Sequence, residues 1–238
     1  MGNTPETSCM PASTSPVARA LRLVISTAVF GAVLFFAAGT VAWPAAWGYL
    51  AVITAVMAVY STIIVRLHPA LIEERHHPPA DAKKWDKPFV VIVGMIGPVV
   101  LIVLSGLDRR LHWSPPTSAW IQVLGLVLIA AGGSLTNYAV ATNKFFSALV
   151  RIQHDRGHYV IDTGPYRFVR HPGYAGSIVY MIGMAFALSS RVALLVAIVL
   201  SLVLAVRTTL EDRTLQAELD GYAQYARKVR FRLVPGLW

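Results

Sequence analysis

The sequence predicts an all-α integral membrane protein of about six transmembrane helices, the last two a short hairpin, with its polar residues gathered on one face. Three observations lead there. Hydrophobic residues make up 55% of the 238 and charged residues only 14%, against about 25% charged in soluble domains, and the mean hydropathy is +0.57. The apolar residues run in tracts long enough to cross a bilayer, and the cations alternate between crowded and nearly empty segments. This composition excludes a disordered chain, a disulfide scaffold and an ordinary soluble domain. The single cysteine, Cys9, has no internal disulfide partner.

Residues 1–20 are rich in Pro, Ser and Thr and read as a disordered leader. Crossing a hydrocarbon core of about 30 Å takes roughly 20 mostly apolar residues, and residues 22–42, 47–65, 88–107 and 119–140 meet that need. Residues 1–46 also admit a signal peptide, with Ala42 and Ala45 near its end. Against it, an apolar core of 21 residues exceeds the roughly 7–15 of a signal sequence. The tract over residues 174–206 is interrupted only by Ser189, Ser190 and Arg191. Its 33 residues are too many for one span, so it reads as a hairpin whose second arm continues past Arg207. The chain thus divides into the leader, a four-helix membrane region over 21–140, and a region over 141–238 combining linker, hairpin and tail.

Charge placement sets the expected orientation. The leader with the adjoining Arg22, residues 66–87, residues 141–173 and the tail hold 18 of the 21 Lys and Arg; the other three are Arg109, Arg110 and Arg191. A bias of that size places both termini in the cytoplasm. It also accounts for the net charge of +9 through attraction to anionic lipid, so the partner is the bilayer and no nucleic acid is needed.

A polar linker of 33 residues between spans exceeds a mere connection. Within it, residues 164–174 read GPYRFVRHPGY. Gly164-Pro165 makes a turn, and Pro172 suits the first turn of the next helix, where its missing N–H costs nothing. The N–H groups after His171 would then face an anion. The plainer alternative is a membrane entry, with Arg167 and Arg170 snorkelling and Tyr166 and Tyr174 in an aromatic belt.

Residues 145–235 resemble the isoprenylcysteine carboxyl methyltransferase and phospholipid methyltransferase superfamily of membrane enzymes. The resemblance rests on an ordered set: His158, Tyr159-Val160-Ile161, Gly164-Pro165-Tyr166, Arg170-His171-Pro172-Gly173-Tyr174-Ala175-Gly176, then Arg207, Glu211-Asp212, Tyr222 and Tyr225. Asp212 departs from the pattern, where a second Glu is common. The resemblance implies a cytoplasmic catalytic linker and S-adenosyl-L-methionine bound at the last helices, without a nucleotide-binding sheet. It also implies a cofactor pocket lined by Gln153, His158, Tyr159, Val160, Ile161, Tyr166, His171, Pro172, Gly173, Tyr174 and Glu211. Methyl transfer would go to a lipophilic or small nucleophile, a carboxylate, thiol or amine as in an isoprenylcysteine. Arg207 and Glu211 stand four apart, on one helical face. Arg207 is expected to grip an anionic acceptor; a structural ion pair with Glu211 is the alternative.

Other signals are weaker. His154 and His158 have metal-like spacing, but Gly157 interrupts the helix that would align them, so no metal is expected. His76, His77 and residues 83–87 read as a juxtamembrane loop with Trp85 at headgroup level; Glu73 and Glu74 read as a solvated face. Phe145 and Phe146 are expected to dip into the interface, and Tyr222 and Tyr225 to anchor a tail helix. Two rival functions follow the same spans. One is an NADPH-dependent sterol- or steroid-type reductase, with Arg227, Lys228, Arg230 and Arg232 for a phosphate. The other is a non-catalytic transporter or scaffold, whose spans should carry mid-depth charges.

Overall fold

The computed structural model of the chain describes residues 15–69 and 81–238. Cys9, Glu73, Glu74, His76 and His77 lie outside the described residues. The architecture is all-helical among the described residues, in the order α1 (Pro16–Ala38), α2 (Pro44–Leu67), α3 (Lys84–Leu111), α4 (Ala119–Thr142), α5 (Pro172–Ala187), α6 (Arg191–Glu218) and α7 (Tyr222–Lys228). Five of these, α1 to α4 and α6, are long and apolar enough to cross a membrane. The sixth expected span, α5, has 16 residues and a length of about 24 Å at 1.5 Å per residue, short of a full hydrocarbon core.

Caps explain where the boundaries moved. α1 begins six residues before the expected span, because the Ser15 hydroxyl accepts from the Ala18 N–H (3.1 Å) and Pro16 takes the first helical position. Residues 16–20, assigned above to a disordered leader, are therefore the first turns of a helix. Gly39 ends α1 in the left-handed conformation (φ 68°), donating back to Phe35 and Phe36. α3 opens with a tight turn at Lys84–Asp86 and widens into a π-helical stretch over Val90–Ile96. Pro98 has no N–H to continue the ordinary ladder there, and the Gly97 N–H reaches back to Ile92. The hairpin turns at Leu188–Ser190 as expected, and α6 continues for 28 residues, past Arg207 to Glu218.

The helices pack through glycines. Without a hydrophobic force between them in lipid, spans associate where small residues let backbones approach. α4 and α5 run antiparallel, with Gly125 and Gly132 facing Gly183 and Gly176 at a spacing of seven on each helix. A methyl group at Gly132 would lie 2.5 Å from the Gly176 carbonyl oxygen. Gly106 of α3 sits as tightly against Ala37 of α1. Large apolar side chains such as Phe36, Trp120, Leu195 and Leu202 point outward, the surface a bilayer would cover. At the hairpin end, buried Asp108 accepts from the Ser114 N–H (2.7 Å) and hydroxyl (2.7 Å) and from the Ser190 hydroxyl (2.5 Å). That carboxylate fastens the α5–α6 turn to the end of α3. The opposite face carries the linker, the tail and the polar chemistry.

Candidate active site

The linker between α4 and α5 folds by side-chain capping rather than by regular structure. The Asn143 carboxamide accepts from the Phe145 N–H (2.9 Å) and donates to the Tyr166 hydroxyl (3.3 Å). Gln153, buried, donates to the Phe145 carbonyl (2.7 Å) and accepts from Arg156 (2.6 Å). Its backbone N–H reaches His158 Nδ1 (3.3 Å). Gly157 takes a left-handed turn (φ 60°) that brings His158 back onto the Phe145 ring, with centroids 4.4 Å apart. Burial first, and the neighbouring Arg151 charge second, push the His158 imidazole down to about 4. A neutral ring with Nδ1 as acceptor fits the Gln153 bond. Gly164, also left-handed, lies so close to Thr142 that a methyl there would stand 2.8 Å from its hydroxyl.

The RHP turn is built on Asp212. This carboxylate is fully buried, and two of its donors come from one guanidinium, Arg170 Nε (2.7 Å) and Nη2 (2.9 Å). The Tyr222 hydroxyl (3.0 Å), Gln216 (2.9 Å) and Arg232 Nε (3.0 Å) donate as well. His171 Nε2 lies 3.4 Å from the same group. Arg170 Nη1 donates to the carbonyls of Val229 (2.7 Å) and Arg230 (2.9 Å). The backbone N–H groups of Arg170 and His171 donate to Phe231 and Arg232. One side chain thus ties linker, α6, α7 and tail together. Burial and the Asp212 charge hold the Tyr222 hydroxyl well above its usual range, so it stays a donor.

Beside this hub the Tyr174 hydroxyl donates to Glu211 Oε2 (2.5 Å), and the Tyr174 ring lies parallel to His171 at 5.7 Å. Arg207 lies under Tyr174, 5.1 Å from the ring centroid. It does not pair with Glu211. Its Nε and Nη2 grip Asp86, at 2.7 and 2.8 Å, and Nη2 also donates to Ala148.

These elements enclose a cleft whose empty space, counted with its open mouth, is about 790 Å³. Of the residues expected in a site, His158, Tyr159, Val160, Ile161, Tyr166, His171, Gly173, Tyr174 and Glu211 line it. Gln153, Pro172 and Arg207 do not. Gln153 shapes the turn before His158, and Pro172 opens α5 behind the lining. Arg207 is the main correction: two of its three nitrogens are already committed, so it supports the cleft from beneath instead of reaching into it. Phe145 and Phe146, expected at the membrane interface, line the cleft, and so do Tyr222 and Tyr225. Sequence reasoning missed Asp86 and the centrality of Asp212. An acid flanked by lysines reads as surface, and only burial distinguishes it. No cluster of three or more potential metal ligands occurs among the described residues.

Residues 123–217 match the model of the isoprenylcysteine carboxyl methyltransferase family. The match contains the linker, the RHP turn and the Arg207–Asp212 stretch. Over this segment the chain is similar to that family. Among curated relatives, protein-S-isoprenylcysteine O-methyltransferase B of Arabidopsis thaliana is 29% identical over 132 residues, covering 54% of this chain and 63% of that protein. Protein-S-isoprenylcysteine O-methyltransferase A of the same plant is 30% identical over 84 residues, 35% of this chain and 39% of that one. The Schizosaccharomyces pombe enzyme is 32% identical over 111 residues, 45% of this chain and 47% of its own. The chain therefore spans less than two thirds of the length of these relatives. A solved structure of the eukaryotic intramembrane Ras methyltransferase ICMT shares the fold, with a TM-score of 0.60 at 20% identity, covering 92% of this chain and 76% of that one. The superfamily signature and the cleft coincide, and the reductase alternative has no such support.

Proposed function

We propose that the protein is an integral membrane, S-adenosyl-L-methionine-dependent methyltransferase whose acceptor is a lipophilic or small nucleophile of the isoprenylcysteine kind. The observation that carries this reading is the convergence of nine signature residues on one cleft at the end of the helical bundle.

The donor set fits such a cofactor. A carboxylate has about four acceptor positions, and Tyr174 occupies one on Glu211, leaving capacity for an ammonium or a ribose hydroxyl. The start of α5 favours a carboxylate. Tyr159, half exposed at the rim, and the apolar Val160, Ile161 and Leu215 offer a flat slot for a purine. S-adenosyl-L-methionine would supply a methyl group activated by its sulfonium. The chain's contribution is then alignment and exclusion of water, with aromatic faces suited to a cation. Arg207, held by Asp86, keeps Tyr174 and through it Glu211 in place. In this reading the linker face is cytoplasmic, both termini share it, and the acceptor arrives from the bilayer.

Calorimetric titration of detergent-purified protein with S-adenosylhomocysteine tests the reading, with NADPH in parallel. Saturable binding of the first alone is expected. Glu211→Gln should weaken it by about 1.5–3 kcal/mol, the scale of a hydrogen bond to a charged group, or roughly 10- to 150-fold. Binding of NADPH alone would overturn the proposal in favour of a reductase.

A further inference from the structure

We propose that Asp86, which lies outside the segment matched to the family, is a positioning residue of this site. It sets both the linker wall of the cleft and the Arg207–Tyr174–Glu211 stack. What the site binds rests on the methyltransferase reading; the coupling itself rests on geometry.

Asp86 sits at the mouth of α3, in the turn Lys84–Asp86, yet it is fully buried. Its carboxylate takes Arg207 as a two-pronged fork and also accepts from the Val150 N–H (2.9 Å). The Lys83 N–H donates to the Val150 carbonyl (2.8 Å). Arg207 Nη2 completes the clasp on the Ala148 carbonyl (2.8 Å). Residues 148–150 are thus held on both sides, and Leu149, Val150 and Arg151 line the cleft. On the other side of Arg207, the guanidinium face supports the Tyr174 ring, whose hydroxyl holds Glu211. The path from Asp86 to the cofactor-facing carboxylate has three contacts, each with fixed direction.

A buried ion pair is a poor way to gain stability, since apolar residues of similar volume often do as well. What it adds here is orientation. A planar guanidinium gripped through two nitrogens cannot rotate freely, so it stays in place against its aromatic neighbour.

The test is S-adenosylhomocysteine titration of native protein, the double variant Asp86→Asn/Arg207→Gln and the single variant Arg207→Lys. The double variant removes both charges and should unfold near the native midpoint, while its affinity falls about tenfold, mid-range for residues coupled in one network. Arg207→Lys keeps the charge but loses the planar fork, and it should lose affinity equally. Native affinity in either variant would overturn the role of Asp86. Absence of binding to the native protein would refute the reading of the site, a separate failure. In that case amide exchange at Val150 still decides the coupling: it should accelerate in Asp86→Asn, and unchanged protection there would overturn it.

Discussion

Replacing Asp212 with Asn is the most informative perturbation of the fold around the site. The substitution changes neither shape nor volume, so its effect isolates charge and donor–acceptor direction. Oδ1 receives Arg170 Nε and the Tyr222 hydroxyl, and Oδ2 receives Arg170 Nη2, Gln216 and Arg232. An Asn amide must turn its NH₂ toward one of these groups. Turned toward the Oδ2 side it meets three N–H donors; turned toward the Oδ1 side it meets Arg170 Nε. Either orientation loses at least one charge-assisted bond, worth about 1.5–3 kcal/mol, and it also leaves the buried Arg170 cation without its anion. Breaking a buried pair from one side costs about 3–5 kcal/mol, which sets the expected loss. Reversible chemical unfolding in detergent, followed by tryptophan fluorescence, measures it. Gln216→Ala serves as the control, because Gln216 is exposed and supplies one bond; about 0.5–1.5 kcal/mol is expected there. A loss below about 1 kcal/mol for Asp212→Asn would refute the argument that this carboxylate organises the turn.

Further predictions concern the bundle and the linker. Gly132→Leu should separate α4 from α5, because the new side chain meets the backbone of Gly176 and Tyr180; overpacking of this kind costs about 1–3 kcal/mol or more, read from the same unfolding curves. Gly173→Ala should lower S-adenosylhomocysteine affinity more than stability, since its methyl would press on the Phe146 ring at 2.7 Å within the cleft wall. A proportional fall in both would assign Gly173 to packing alone. His158 should make stability depend on pH in a defined window. Its folded value, about 4, lies below an unfolded value near 6.5. The unfolded chain therefore binds more protons between these limits, and the contribution present above about pH 6.5 is lost as pH falls toward 4. Comparing native protein with His158→Gln across that range, the native unfolding midpoint should fall more steeply; parallel curves would contradict the assignment.

The sequence by itself determined the membrane class, the approximate spans and the hairpin, and it named some of the residues that line the cleft. Those features are local: an apolar run of bilayer length and a turn such as GPY or RHP each specify their structure within a few residues. The ordered spacing from His158 to Glu211 carried the family resemblance for the same reason. Even the glycines at 125, 132, 176 and 183 were visible with a period of seven, although one helix cannot say which partner its small face will meet. Tertiary structure alone decided the electrostatics. Arg207 reads as a partner for Glu211 four residues away, yet it pairs with Asp86, 121 positions earlier. Asp212 reads as the lesser member of an acid pair, yet it collects donors from the linker, α6, α7 and the tail. Burial explains the difference: where water is excluded a charge must find its counter-ion in the fold, and which groups are buried together follows from how the helices pack, not from their order along the chain.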